Sequence, residues 1–320
     1  MERLDGYRRL STFLRQTWGC RLRKICIDGG FTCPNRDGTC GTQGCAFCGE
    51  RGAGEHIASG LDISQQVAQE LERRAVRYKD SRREKREKRE KREKDEKYIA
   101  YFQNFSGTYA DLPTLRDRYN AAMIDERIVA LAIGTRPDCI DDGVASLLTE
   151  YQSSRRVWVE LGLQTASDAT AARFHRGYPS ERFTQAVAIL NRYGIDVVVH
   201  LMIGLPGEDF DDLKRTVAFV NRHRLWGIKI HSLYLMEGTE FASMWRAGDL
   251  TLISMEEYIE RAVYVLTHID PELIVHRLTG DCPAERLVAP AWNTQKTEIL
   301  RRIDAAMTRT PQGCHFDRFA

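Results

Sequence analysis

The 320-residue sequence has no apolar run approaching the roughly 18 residues that a membrane-spanning helix needs. Its opening, MERLDGYRRLSTFLRQTWGC, carries charges where a secretory leader has an apolar stretch, so a cytoplasmic location with no membrane association is expected. Net charge is only +2, and the surface as a whole therefore announces no nucleic-acid partner. What the chain does have is 42% hydrophobic residues, enough to build a core and to exclude disorder throughout. The length allows one large domain or two ordinary ones.

Nine cysteines are present, and four of them fall in one short stretch, CPNRDGTCGTQGCAFC, from Cys33 to Cys48. A reducing cytosol disfavours disulfides, and the odd count points the same way, which leaves metal binding or redox chemistry. Cys33, Cys40, Cys45 and Cys48 are enough in number for a closed zinc knuckle. A catalytic iron–sulfur site would use three thiolates and leave one iron of a cubane open. The CxxC of Cys45 and Cys48 suits one edge of such a cluster, with a third thiolate arriving from upstream.

Local charge is more informative than the total. Residues 1–24 carry seven Arg/Lys against two acids, with Tyr7, Phe13 and Trp18 between them. That mixture suits phosphates and stacked bases, and equally an amphipathic surface helix packing its aromatics on the body of the protein. Residues 81–97, SRREKREKREKREKDEK, place Glu84, Glu87, Glu90 and Glu93 four residues before Lys88, Lys91, Lys94 and Lys97. This order favours a solvated helical extension serving as a spacer.

Short β-branched runs alternate with longer amphipathic ones. Strands are predicted at 24–28, 98–103, 127–133, 156–163, 196–203 and 228–235, with 272–278 a possible seventh. Helices are predicted near 62–80, 111–124, 141–153, 179–193, 208–224 and 254–268. Strand–helix–strand repetition of this kind makes a parallel sheet buried on both faces. Asp28, Gln103, Asn104, Thr135, Arg136, Glu160, Gln164, His200 and His231 fall in or just past the C-terminal halves of these strands. An open sheet gathers its polar groups at one switch point, whereas a barrel takes them from every strand. The expected class is therefore α/β, a partial (βα)6 TIM-like barrel with a charged helical insertion and a C-terminal helical extension. Taken singly, a Glu in VWVELGL or a His in VVVHLMIG reads as a satisfied core group; the habit shared by six strands points to a common cavity. The cysteine loop follows the first strand and lies at the same mouth.

Cys33 with CAFC, eleven residues apart, resembles the cysteine motif of radical S-adenosylmethionine (SAM) enzymes in a widened form. With GFTCPNRDGT, YFQNFSGTYA, GTRPDC, VELGLQTA, HLMIGLPGE, KIHSLYLMEGT and HRLTGD in order, the chain resembles the YhcC/YtqA family from about Lys24 to Asp281. The radical-SAM core of that family is similar to that of the Elongator catalytic subunit. The sequence departs from the pattern at the charged insertion and at Gly107, where Asn is expected.

The resemblance implies a [4Fe-4S] cluster on Cys33, Cys45 and Cys48, with Cys40 a bystander. It implies SAM contacts from Phe47, Gln103, Asn104, Thr135, Glu160, Gln164 and His200. One electron from the reduced cluster would split SAM to methionine and a 5′-deoxyadenosyl radical. Lys229, His231, Glu237 and Arg277 are the candidates for substrate contact. The implied substrate is tRNA, with the side chain of the wobble uridine trimmed from carboxymethylaminomethyl toward aminomethyl, and the implied partner an electron donor such as flavodoxin or ferredoxin. In the chain itself only the basic N-terminus and Arg301, Arg302, Arg309 and Arg318 support RNA. No second cysteine cluster is present to serve sulfur insertion. The domain reading is a basic aromatic lead at 1–23, a radical-SAM core at 24–280 and a C-terminal extension at 281–320. A radical-SAM methyltransferase and a non-catalytic zinc-knuckle RNA-binding protein are the competing readings.

Overall fold

The computed structural model describes residues 6–52, 54, 57, 60–79 and 96–316. Most of the charged repeat lies outside these. Its last residue, Lys97, expected at a helix end, opens a strand instead.

Seven strands form one parallel sheet in sequence order: β1 Leu22–Ile27, β2 Lys97–Phe102, β3 Ile128–Thr135, β4 Arg156–Gln164, β5 Asp196–Ile203, β6 Gly227–Ser232 and, past a short β7 (Leu235–Met236), β8 Ile274–Arg277. The candidate at 272–278 is thus a true seventh strand, one more than a six-unit barrel requires. Connections run through α2 Ile63–Lys79, α3 Leu112–Ala121, α4 Asp142–Gln152, the short α5 Asp168–Arg173, α6 Ser180–Arg192, α7 Phe210–Asn221, α8 Glu240–Ala247 and α9 Met255–His268. Several begin where the chain supplies a cap: Asp111 accepts from Thr114 N, and Asp209 with Asp212 and Ser254 with Glu257 close capping boxes on α7 and α9. No described helix is long and apolar enough to cross a membrane.

The sheet is curled. Lys229 Nζ on β6 lies 2.9 Å from Tyr101 Oη on β2, whereas four strand spacings of about 4.8 Å would hold them about 19 Å apart in a flat sheet. Alternation then gives each strand an inner and an outer face. Val157, Val159, Leu161 and Leu163 of β4 point outward into the main core under the helices, while Trp158 points inward with Ile99, Tyr101, Ala130, Ala132, Val198 and Ile274.

The inner apolar layer is closed from below by an N-terminal helix, α1 Leu10–Trp18. Leu10 and Leu14 join that layer, Phe13 and Trp18 pack on it, and the Phe13 and Trp226 rings are 5.5 Å apart. The N-terminal aromatics are thus committed to packing rather than offered to bases. At the other end of the chain β9 (Leu287–Ala289) pairs antiparallel with β7, and α10 (Lys296–Arg309) buries Ile299, Ile303 and Met307 in the outer core.

Gly107 follows β2 where two elements nearly touch. A Cβ there would stand 2.8 Å from Ile133 Cγ2 and 3.0 Å from Gly134 O. The backbone is pinned by Gly107 N to Gly134 O at 2.9 Å and by Tyr119 Oη to Gly107 O at 2.7 Å. Gly107→Ala is therefore expected to lower stability by about 1–3 kcal/mol through overpacking, read from urea unfolding.

Candidate active site at the barrel mouth

The cysteine loop is a folded turn held by its own polar residues. Arg36 N and Asp37 N donate to Cys33 O, Cys48 N donates to Cys45 O at 2.8 Å, and Gly44 turns at φ +78° with its N bonded to Asn35 O. Asn35, 3% exposed, donates Nδ2 to His175 O at 2.5 Å and approaches Cys45 Sγ at 3.6 Å. Arg36 Nη2 ties down Gly49 O at 2.6 Å. Backbone bonds from Ala46 N to Phe174 O and from Phe241 N to Ala46 O clamp the loop between α5 and α8. Phe47 packs on Phe174 with ring centres 5.4 Å apart.

As a result Cys33, Cys45 and Cys48 face one cavity of about 240 Å3 at the C-terminal ends of the strands. Cys40 is exposed, outside the cavity lining, with its sulfur 4.0 Å from Asp138 Oδ2. Burial pushes the Cys45 thiol up to about 12, and the nearby Cys48 and Cys33 push the same way. Among the described residues no three His, Cys, Asp or Glu side chains converge as ligands of a single ion do.

The opposite wall is built from strand ends. At the end of β4 the backbone breaks register between Gly162 and Gln164, and Gln164 takes φ +61°. Buried Arg176 holds this bend by donating to Leu163 O, Thr165 O, Tyr178 O and Asp168 Oδ1, four acceptors for one guanidinium. Gly162 leaves room for the turned side chain, since a Cβ there would come within 2.5 Å of Gln164 Nε2. Gln164 Oε1 and His231 Nε2 are buried on the cavity wall without a hydrogen-bond partner among the described residues. Unsatisfied groups of this kind cost about 1–3 kcal/mol each and suit a bound polar ligand. Three grouped thiols and orphaned polar atoms on one wall fit an iron–sulfur cluster with a polar co-substrate beside it.

One layer deeper lies a buried ionic knot. Glu160 is fully buried; Oε2 receives Lys229 Nζ and lies 3.1 Å from His200 Nε2, and Oε1 receives Trp158 Nε1 at 3.1 Å with Lys24 Nζ at 3.7 Å. His276 Nδ1 stands 3.8 Å from Oε1. Burial opposes ionisation of Glu160, but Lys229 and Lys24 outweigh it and hold the carboxyl well below its ordinary range. Burial and then the charge of Lys229 push His200 down to about 4, and burial pushes His276 down to about 3. Both rings are neutral at pH 7. Lys24 and Lys229 also flank the Tyr101 ring at 4.4 and 4.6 Å, so the tyrosine fills the space between two cations.

The cavity gathers most of the residues expected from sequence: Cys33, Cys45, Cys48, Phe47, Gln103, Thr135, Glu160, Gln164, His200, Lys229, His231 and Arg277 all line it. Asn104 and Glu237 do not. Asn104 is 2% exposed and packs so tightly on Gly54 that a Cβ on that glycine would lie 1.8 Å from Asn104 Oδ1. Glu237 follows β7 rather than a barrel strand, and is exposed in an ion pair with Arg246. Sequence reasoning missed Tyr101, Tyr178, Tyr234 and Met202, which also line the space. Tyr101 carried a usable signal, because it shares strand parity with Gln103. Of the tail arginines, Arg301 pairs with Glu298 and Arg302 with Glu256, and Arg318 lies outside the described residues.

Residues 37–220 match the family model of the radical SAM superfamily, and residues 225–309 match the radical SAM C-terminal domain. The uncharacterized protein YtqA of Bacillus subtilis is 36% identical over 98% of this chain and 93% of its own length. A tRNA uridine(34) acetyltransferase of Methanocaldococcus jannaschii is 30% identical over 55% of this chain and 32% of its own length. Among solved structures, the Elp3 of Methanocaldococcus infernus with an N-terminal deletion superposes with a TM-score of 0.64 at 19% identity, covering 92% of this chain and 64% of that one. A seven-stranded parallel part-barrel, a thiol-bearing loop at its mouth and a family match over more than half the chain agree: this chain belongs to the radical SAM superfamily, enzymes that use a [4Fe-4S] cluster and S-adenosylmethionine.

Proposed function

We propose that the protein reductively cleaves SAM and uses the resulting radical to modify RNA, with the wobble uridine of tRNA as the target. The observation that carries this reading is that three thiols and the cationic Arg277 line one cavity. Cys33, Cys45 and Cys48 would hold the cluster. Bound there and reduced, such a cluster would supply the one electron that splits a carbon–sulfur bond of SAM to methionine and a 5′-deoxyadenosyl radical.

The rest of the chemistry belongs to the chain. Phe47 offers a flat apolar face for the adenine. Gln103, Thr135 and Gln164 present polar groups at the strand ends for the amino-acid and ribose portions. Glu160, with both oxygens already engaged, fixes the floor under them. The enclosing barrel excludes water, which a reactive carbon radical requires. His231 and Arg277 remain on the wall for the substrate, whereas Lys229, proposed from sequence for that role, is taken up by Glu160 and Tyr101.

The RNA part of the reading draws on the relative named for tRNA uridine 34 and on the resemblance in sequence motifs. Trimming of a carboxymethylaminomethyl group toward aminomethyl fits a wall carrying Arg277, which suits the carboxylate of such a side chain. Anaerobically reconstituted protein with SAM and dithionite should release 5′-deoxyadenosine, and a flavodoxin or ferredoxin should replace dithionite. Nucleoside analysis of treated tRNA should then show a changed wobble uridine. Accumulation of S-adenosylhomocysteine in place of 5′-deoxyadenosine would indicate a methyltransferase instead. Tight zinc with no SAM cleavage would end the enzymatic reading.

A further inference from the structure

The seven strands do not close. Among the described residues β1 and β8, the two edges, form no ladder with one another, and Arg9 bridges to Val275 below the gap. A groove of about 350 Å3 occupies this seam. Among the described residues its charged lining is Arg9, Arg21, Lys24, Arg277 and Lys296, joined by His276, with no Asp or Glu among them. In a chain of net charge +2 that is a strong local concentration.

Three of these cations have anchors just outside the lining: Arg9 on Asp304 at 2.6 Å, Lys296 on Asp281 at 3.2 Å and Lys24 on Glu160 at 3.7 Å. Arg21 and Arg277 make no ion pair among the described residues. The groove also borders the mouth cavity. Arg277 lines both spaces, and Lys24 in the groove reaches Glu160, which lines the cavity.

We propose that this seam is a phosphate-binding channel for the substrate RNA, in which backbone phosphates lodge along Arg21, Lys24 and Lys296 while Arg277 leads one nucleotide into the mouth cavity. The placement rests on the RNA reading of the function. Guanidinium and ammonium groups without carboxylates competing inside the groove are what a phosphodiester chain requires, and they carry no base specificity. Sequence choice then falls to the cavity, where the base arrives.

The test is fluorescence anisotropy with a labelled anticodon stem-loop RNA, titrated against the full-length, reconstituted protein over a range of salt. Replacing Arg21 and Lys296 together by Ala should flatten the dependence of log K on log salt by about 0.7 for each phosphate no longer neutralised. The charge-conserving pair Arg21→Lys with Lys296→Arg should restore it. Arg301→Ala, on the exposed face of α10, should leave the slope alone. Tripolyphosphate should displace the RNA from the parent protein. A slope unchanged in the Ala pair, with RNA still bound, overturns the seam and leaves the RNA reading standing. Failure of the parent protein to bind the stem-loop at any salt overturns the RNA reading itself, and the seam with it.

Discussion

Replacing Cys33, Cys45 or Cys48 singly by Ala is expected to abolish both iron retention and SAM cleavage, while Cys40→Ala keeps both. Cys45 decides the sign of this expectation. It is a partly buried thiol whose desolvation and thiol neighbours oppose ionisation, so a positive charge beside it favours the thiolate. A cluster iron would supply that charge, and Cys33, Cys45 and Cys48 would be its protein anchors. Removing one leaves two anchors on a cubane that exchanges with solvent. Cys40 points away from this space toward Asp138, and its loss removes nothing the cluster touches. The measurement is iron and sulfide content with the visible absorbance of oxygen-free protein, followed by 5′-deoxyadenosine yield. Iron retained in all three cavity variants, or lost in Cys40→Ala, would sink the assignment. Because metal content is read separately from activity, a variant that merely misplaces SAM is not mistaken for one that loses the cluster.

The barrel was legible because its signal is local. β4 alternates Val157, Val159 and Leu161 outward with Trp158 and Glu160 inward, and a period of two can be read from one short window. The C-terminal position of Gln103, Thr135 and Gln164 follows from the same strands, which is why one mouth is expected and one mouth is lined by them. The partners of these residues were not legible. Glu160 meets Lys229 across 69 positions of sequence and Lys24 across a barrel whose curl no single window encodes. From sequence, Glu160 reads as a cofactor contact; in space it is the centre of a charge network that leaves little of it for a ligand. The N-terminal segment shows the limit from the other side. Phe13 and Trp18 are interleaved with arginines in a pattern that suits RNA, and only the open lower end of the barrel, which has to be covered, reveals why they are apolar. Glu237 misled for a related reason, since its run of β-like residues continues past β6 into a separate two-residue strand.

Glu160→Leu should cost about 3–5 kcal/mol of stability, because it strands buried cations without a counter-charge. Lys229, with a side chain 2% exposed, has no other carboxylate within ion-pair distance among the described residues. Lys24 is 26% exposed and can turn toward solvent, so Lys229 bears most of the penalty. The double variant Glu160→Leu with Lys229→Met should recover much of the loss, since it removes both charges and keeps the volume. Chemical denaturation of the single and double variants measures the coupling directly, and a double variant no better than Glu160→Leu would show that the knot is not a mutual pair. The same knot sets a pH window. The folded state depresses His200 from 6.5 to about 4 and His276 from 6.5 to about 3, and holds Glu160 below the carboxylate range. Groups with depressed folded values contribute stability above their unfolded values and lose it as pH falls. Stability should therefore be full above about pH 6.5, decline through pH 4 as the unfolded chain takes up protons that the fold refuses, and fall again as Glu160 is forced neutral. His200→Asn should remove that ring's share of the decline and leave the shares of His276 and Glu160, so the difference between the two titrations reads the His200 contribution alone.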